Sequence, residues 1–309
     1  MQSILLTGAT GFLGSHIAEE LIALGFQVIV LKRSTSNLKY CNGFADQISW
    51  IDCDDLTFAQ QEIIRLKPTV LIHAAWSGVK SHDRDRWSEQ EKNISFLVSI
   101  LELAKKVGIK KIIALGSQAE YGSFENIVNE SYSCNPNSAY GAIKLCSSVI
   151  LKAFAEQNNI DWYWIRIFSV FGPREDANWL IPSAIINLLN KKEMALTPCE
   201  QRYDYLYIKD FTSGILSIVK KDKDKSGIYN MSSGSNIMIK EILSFLEHRL
   251  SPKQKILKFG ELAYRPNQVM NMQGNSDLFF QTFNFKPKFN VYDGLEVTIN
   301  YYLNQRNHE

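Results

Sequence analysis

Over the first two-thirds of the chain, short apolar runs alternate with stretches whose apolar positions recur at helical spacing. SILLTGA, QVIVL, ISWID, TVLIHAA and KKIIALGS each read as a strand, and so does the longer run DWYWIRIFSV. Residues 15–24 read as a helix closed by Gly25, AQQEIIRL as helix-like, residues 94–107 as a helix ending at Gly108, and residues 140–157 as a long helix. Strand–helix alternation of this kind predicts a parallel sheet covered by helices on both faces. The right-handed crossover rule then makes it a doubly wound, Rossmann-type α/β fold.

After Gly172-Pro173 the pattern loosens. Short helices at 180–190 and 239–249 interleave with the strand-like pieces YDYLYI and GIYNMS, and no repeat, low-complexity tract or flexible linker intervenes. The expectation is a nucleotide-binding domain over residues 1–172 and a smaller, mainly substrate-binding lobe over 173–309, with chain crossings back to the first. The cleft between two such lobes is the default ligand site.

Composition narrows the class. With 309 residues, 45% hydrophobic and 21% charged, the chain reads as soluble and globular, with ample length for a core. Its 34 basic and 32 acidic residues leave a formal charge of +2, too little for a field that gathers nucleic acid or anionic membrane. SILL, VIVL and VLIHAAW stop well short of the roughly 20 apolar residues of a membrane helix. MQSILLTGAT has no basic leader and does not read as a signal peptide. The five cysteines (Cys41, Cys53, Cys134, Cys146, Cys199) show no CxxC spacing, which argues against zinc and a disulfide framework and for a reducing cytoplasm.

The segment TGATGFLG follows a strand and opens a helix, with glycines at positions 8, 11 and 14. Gly8 suits a tight turn, Gly11 lets the backbone approach a pyrophosphate at the helix N-terminus, and Gly14 lets helix and strand pack closely. Alone, the spacing is also that of a plain strand-to-helix turn. Strand, turn, helix, Gly25 and second strand in order favour a dinucleotide. The second strand ends Leu31-Lys32-Arg33-Ser34, where a fold selective for NAD carries a carboxylate about 20 residues on. Two cations and a hydroxyl suit the 2′-phosphate of NADP instead, with Arg33 able to grip it bidentately; the alternative is a solvated basic loop. NADP(H) is the expected cofactor.

Tyr140-Gly141-Ala142-Ile143-Lys144 opens the long helix, so Tyr140 and Lys144 share one face. YxxxK by itself is met in many surface pairs. Here it follows GSQAEYG, which places Ser117 at a strand C-terminus, where ligands of open α/β sheets bind. On these motifs the chain resembles the extended short-chain dehydrogenases/reductases, the NAD-dependent epimerase/dehydratase family, in the branch that modifies nucleotide sugars. The resemblance runs over almost the whole length. Ile72-His73-Ala74-Ala75 resembles the strand beneath the cofactor, and Asn93 takes the place of the family's structural asparagine. RIFSVFGP resembles RxxNVYGP with Ser169 replacing the asparagine. Arg265-Pro266-Asn267-Gln268 and Phe285-Lys286-Pro287 resemble the late RPGD and WKP landmarks.

The resemblance implies roles. Tyr140 protonates a carbonyl oxygen as hydride arrives; Lys144 lowers the phenol pKa by its charge and binds the nicotinamide ribose; Ser117 hydrogen-bonds the same oxygen. A strand-end cap is the competing reading of Ser117. Cofactor contacts are implied for Gly8, Thr10, Gly11, Phe12, Leu13 and Gly14 of the turn, for Lys32, Arg33, Ser34 and Asp54, and for Ala74, Ala75 and Phe168. Substrate contacts are implied for Trp76, Gln118, Ser169, Trp179 and Ile181, with Arg202 and Arg265 on the pyrophosphate. Packing is the equal alternative for Trp76. A surface salt bridge is the alternative for Arg202, because Tyr203 stands where relatives place an arginine before the residue matching Asp204. His73 reads as a strand residue rather than a base, and no cluster suggests a metal.

Departures from the family pattern carry information. Sugar-nucleotide 4,6-dehydratases have an Asp-Glu pair directly after the catalytic Ser/Thr; here Gln118 and Ala119 stand there, and Glu120 is one place late. The epimerase-reductases of the GDP-fucose synthase type need a cysteine where Ala119 stands. The 4-epimerases show the acidic residue that Lys32 replaces. What remains is a ketoreductase. EQRYDYLYIKD and YRPNQVMNMQGN look most like the reductases of deoxyhexose biosynthesis, among them the abequose and paratose synthases and dTDP-4-keto-6-deoxyglucose reductase. The expected activity is NADPH-dependent reduction of the C4 ketone of a nucleotide-linked 4-keto-6-deoxyhexose, in deoxysugar and O-antigen biosynthesis. Its alternatives are an NAD-linked epimerase and a non-catalytic NADP-binding regulator; retention of Ser117, Tyr140 and Lys144 argues against the last. Family members commonly pair helices matching 94–107 and 140–157 across a two-fold axis, so a homodimer is expected.

Overall fold

Strands that are apolar at every position, with side chains pointing alternately to opposite faces, need a core on each side of the sheet. The structure, a computed structural model, describes residues 2–80, 82–221, 225–265 and 268–306. Its strands are β1 (Ser3–Thr7), β2 (Gln27–Lys32), β3 (Ile48–Asp52), β4 (Val70–His73), β5 (Lys111–Leu115), β6 (Asp161–Ile167) and β7 (Ser169–Phe171). Then come β8 (Met194–Leu196), β9 (Arg202–Tyr207), β10 (Gly227–Met231), β11 (Asn236–Met238), β12 (Leu257–Phe259) and β13 (Asn271–Met272). The helices of the first half are α1 (Phe12–Ala23), α2 (Leu56–Leu66), α3 (Trp87–Gln90), α4 (Lys92–Val107) and α5 (Ala139–Gln157). The later ones are α6 (Leu180–Leu189), α7 (Ile208–Lys220), α8 (Ile239–Leu250), α9 (Asp277–Phe283) and α10 (Val291–Arg306).

The main sheet has seven strands in the order β10-β6-β5-β4-β1-β2-β3, every pair parallel. It is the doubly wound Rossmann-type fold. Strand order reverses at β1 and β4, so the crevice at their carboxyl ends is where such sheets take ligands. Alternation divides each strand between two cores. Ile4, Leu6, Val28, Val30 and Ile113 join one; Leu5, Ile29, Ile112 and Ala114 join the other. The first core runs on without a break through Ile181, Leu206, Phe211, Leu243 and Ile299, so the C-terminal lobe is welded to the sheet by shared apolar burial.

DWYWIRIFSV was expected as one strand and is two. β6 pairs with β5 and β10, whereas β7 leaves the sheet and pairs with β9. The break falls at Phe168, whose ring lies against Gly274 so closely that a Cβ there would sit 2.6 Å from ring atoms. β9 is also flanked by β11 and β13, making a second small sheet, and β12 pairs with β8. β10 returns from beyond residue 173 to the edge of the main sheet. No helix of the described residues is long and apolar enough to cross a membrane.

Candidate active site

The glycine turn joins β1 to α1. Gly8 has φ +79°, and a Cβ on it would lie 2.5 Å from the Ala75 nitrogen, so the turn and the end of β4 meet backbone to backbone. A side chain at Gly14 would overlap the Gly8 carbonyl. Gly11 begins α1 with no side-chain cap, which leaves the first N–H groups of the helix, at Phe12, Leu13 and Gly14, facing the crevice end of the sheet without a side-chain acceptor. This is the cradle that a pyrophosphate fits.

At the end of β2 the cations differ in their commitments. Lys32 Nζ is 2.5 Å from Asp52 Oδ1, so its charge is already paired. The Ser34 N–H donates to Asp54 Oδ2 at 3.0 Å, and the Ser34 hydrogen bonds hold the Asp54 carboxyl below its usual range. Arg33 is exposed and makes none of the described ion pairs. Of the two cations read from the sequence, Arg33 alone is free for a phosphate.

Ser117 ends the turn after β5 in a reciprocal cap. Its hydroxyl accepts from the Ala119 N–H at 3.2 Å, while the Glu120 carboxylate accepts from the Ser117 N–H at 2.8 Å. Glu120 is fully buried and also accepts from Trp164 Nε1 at 2.9 Å and Arg166 Nε at 2.8 Å. Ser138 caps α5 through the Gly141 N–H at 3.1 Å, which sets Tyr140 in the first turn. A Cβ on Gly141 would collide with the Ala119 carbonyl, so the start of α5 rests directly on the Ser117 turn. The Tyr140 phenol is thereby brought beside the Ser117 side chain. Burial pushes that phenol above its ordinary range.

Lys144 lies one turn along α5 and is buried. Its ammonium donates to the Leu115 carbonyl at 2.6 Å and sits 3.5 Å from the Trp76 ring centroid. Burial lowers its pKa to about 7. The sequence assigned Lys144 the charge that eases the phenol's ionisation. Lys144 Nζ is 5.9 Å from the Tyr140 ring centroid, drawn to a nearer carbonyl and indole face. The nearer cation to the Tyr140 ring is Arg84, with its guanidinium carbon 4.5 Å from the ring centroid.

Trp76 is held by Nε1 donating to Gln90 Oε1 at 3.0 Å, with its edge towards Tyr140 at 6.0 Å between centroids. Asn93 fixes the same loop, accepting from the Ser77 N–H at 2.7 Å. Trp179 reaches the site through Arg84, 5.5 Å from its ring centroid, and is 37% exposed. Gln118 follows Ser117, half-buried, and Ser169 lies half-buried on β7. Ala74 and Ala75 adjoin the glycine turn, and Phe168 is buried in a small cluster with Tyr121 and Met272. Thr10 is half-buried in the turn itself.

Three substrate assignments are not brought to the triad. Ile181 is 2% exposed in the main core and packs there. Arg202 is occupied by Asn236 Oδ1 at 3.3 Å and Glu241 Oε1 at 3.6 Å, beside a groove of about 490 Å³ shared with Tyr205 and Phe289; the salt-bridge reading is the one observed. Arg265 is exposed with no described contact to the triad, and Pro266 and Asn267 of its motif lie outside the described residues. His73 is half satisfied: Nδ1 is 2.9 Å from Thr7 Oγ1, Nε2 has no partner, and burial pushes its pKa down to about 3, so it is neutral. Among the described residues no group of three or more His, Cys, Asp or Glu could hold a metal.

Sequence reasoning missed Arg84, Gln90 and the anchoring role of Glu120. Arg84 sits in a charged stretch, KSHDRDRW, that reads as a solvated loop, and no local spacing marks it. Glu120 had been weighed only as a displaced dehydratase acid.

Known proteins agree with this architecture. The chain is 26% identical over 299 residues to CDP-abequose synthase of Salmonella muenchen, covering 96% of each chain. It is 27% identical over 269 residues to dTDP-6-deoxy-L-talose 4-dehydrogenase (NAD(+)) of Aggregatibacter actinomycetemcomitans, covering 85% of this chain and 96% of the relative. The crystal structure of UDP-glucose 4-epimerase from Thermotoga maritima with UDP-glucose superposes with a TM-score of 0.86 at 21% identity, covering 99% of this chain and 100% of that one. The sequence pattern of the family spans residues 4–232, and with the cradle and the Ser–Tyr–Lys geometry in place the chain belongs to the NAD dependent epimerase/dehydratase family.

Proposed function

We propose that the protein is an NADPH-dependent reductase of the C4 ketone of a nucleotide-linked 4-keto-6-deoxyhexose. The observation that carries the proposal is Glu120 turned inward, both oxygens engaged, beside a Ser117–Tyr140 pair. Gln118 and Ala119 offer no acid or base for moving protons at C5 and C6. The carboxylate of Glu120 is committed to Ser117, Trp164 and Arg166. Such a site reduces a ketone that already exists. Similarity to a CDP-abequose synthase supports a nucleotide-linked sugar, and similarity to a dTDP-6-deoxy-L-talose 4-dehydrogenase supports a 6-deoxyhexose and redox chemistry at C4.

The residues fit a dinucleotide. Gly8 and Gly14 keep the cradle free of side chains, and Arg33 is the cation for a 2′-phosphate. A nicotinamide held there would supply the hydride for the carbonyl carbon. Tyr140 gives its phenolic proton to the ketone oxygen, so the ketone gains one hydride and one proton and becomes the alcohol. Ser117 donates a hydrogen bond to the same oxygen and fixes its position. Lys144 would hold the ribose, and Arg265 and Trp179 would take the sugar nucleotide. The test is a panel of CDP-, dTDP- and GDP-4-keto-6-deoxyhexoses scored by NADPH oxidation and product NMR. One sugar should be reduced per NADPH consumed, and no turnover of any of them removes the proposal.

One observation favours the epimerase reading. Lys32 is neutralised by Asp52, so the end of β2 is less cationic than its sequence suggests. An epimerase would copurify with tightly held NAD and isomerise its substrate without consuming cofactor. The homodimer belongs with either reading: α4 and α5 leave Val98 43% and Val149 61% exposed on neighbouring helices. Light scattering should give the mass of two chains.

A further inference from the structure

Arg84 lies close to a buried amide, that of Gln90. Fully buried Gln90 donates Nε2 to the Gly78 carbonyl at 2.7 Å and to the Asp83 carbonyl at 3.1 Å, fastening the residue that precedes Arg84. Arg84 Nε donates to the Val79 carbonyl at 3.2 Å, which turns the guanidinium back over its own loop. The Tyr140 N–H donates to the Arg84 carbonyl at 2.8 Å, so the backbone of this loop caps the helix that bears the phenol. The guanidinium lies between two aromatic faces, 4.5 Å from Tyr140 and 5.5 Å from Trp179. A cation in this position is attracted to both rings, and attracted more strongly to an ionised phenol than to a neutral one.

The other charges near Tyr140 do not duplicate it. Glu120, from the turn beneath α5, is negative and is paired with Arg166. Lys144, on the same helix, faces Leu115 and Trp76. Asp83, beside Arg84, is engaged by Arg86 and His82. Arg84, at 4.5 Å, is thus closer to the ring centroid than Lys144 at 5.9 Å.

We propose that Arg84 is a positioning residue for proton transfer, its guanidinium holding the Tyr140 ring against Ser117 and stabilising the phenolate left when the proton has gone. This rests on Tyr140 as the proton donor. It deepens the proposed reaction without depending on which ketone is reduced.

The test is a titration of Tyr140 by the near-ultraviolet absorbance of tyrosinate, in which Tyr140→Phe supplies the baseline to subtract. Arg84→Gln should raise the Tyr140 midpoint by about one pH unit, a tenfold change in proton affinity. Arg84→Lys should restore most of that shift by keeping the charge. A lost contact without an electrostatic role would leave the midpoint in place in both variants, and that result overturns the inference. The pH profile of turnover is the second readout: Arg84→Gln should move its alkaline limb upward and lower kcat about tenfold, with KM little changed. Equal profiles for the native protein and Arg84→Gln would contradict the inference as well. Because the titration needs no substrate, a shifted midpoint in a protein that reduces no 4-keto sugar would sink the proposed function and leave the role of Arg84 standing.

Discussion

The glycine-turn half and the C-terminal lobe are held together by different physics. In the first, alternate side chains of β1, β2 and β5 divide between two cores, and the segments that pair are neighbours in a simple strand–helix rhythm. In the lobe, strands are two to six residues long, and buried carboxylates bind backbone N–H groups far away in sequence. Asp204 accepts from Ser233 and Gly234, and Asp210 accepts from Lys288 and Phe289. Periodicity specifies the one, and long-range polar bonds specify the other. On the proposed reading, the site takes its acid–base groups from the first and its substrate partly from the second.

The comparison breaks hardest at the site. Tyr140→Phe should cut kcat by about 10²–10⁴-fold, the span of a lost general acid, while NADPH affinity measured by fluorescence stays nearly native. Retained turnover would remove Tyr140 from the mechanism. Next in size is Glu120→Ala, which leaves buried Arg166 without its carboxylate partner. Breaking such a pair costs about 3–5 kcal/mol, readable as a lowered urea midpoint, and the loosened Ser117 turn should lose turnover too. Native stability in that variant would mean that the ion pair is replaced by solvent.

What could be read in advance follows the same division. Gly8, Ser117, Tyr140 and Lys144 were legible because each is fixed by short-range spacing on a strand end or helix turn. The main-sheet strands were legible because apolar runs must be buried. Phe168 was not: DWYWIRIFSV is apolar across the break, and where the partner changes from β5 to β9 the Phe168 ring packs on Gly274, far along the chain. Arg84 was illegible for a related reason, since only the fold brings its loop over Tyr140. Lys32 was legible as a cation but not as a spent one, because Asp52 meets it across the β2–β3 pairing.

A smaller effect separates the halves by pH. Burial pushes Asp204 of the lobe up to about 6, so between about pH 4 and 6 the folded state binds more protons than the unfolded one. Stability from this group is therefore present at low pH and lost, by about 2–3 kcal/mol, as pH rises through that window. His16, buried on α1 with its ring against the Pro173 carbonyl, is pushed down to about 4. Its contribution runs the other way: it is complete above about pH 6.5 and lost as pH falls towards 4. Denaturant titrations across this range should show Asp204→Asn growing less destabilising as pH rises. His16→Asn should flatten the acid side. Parallel pH profiles for the two variants would erase the distinction.

The smallest effect is cofactor choice. Arg33→Ser should reduce the NADPH-over-NADH preference about tenfold, or about 1.4 kcal/mol, mainly through weaker NADPH binding. Lys32→Ser should reduce it less, because Lys32 is already paired with Asp52. Equal kcat/KM for the two cofactors in the native protein would instead favour the epimerase reading.

The central claim is that hydride reaches C4 of a pre-formed 4-keto sugar nucleotide while Tyr140 supplies the proton. It is tested most directly with NADPH deuterated at the transferable position, offered with a CDP- or dTDP-4-keto-6-deoxyhexose and followed by NMR of the product. The account predicts one deuterium at C4 of a 4-hydroxy product for each NADPH oxidised, and none with Tyr140→Phe. An isomerised sugar with no deuterium and no net oxidation of NADPH would contradict it.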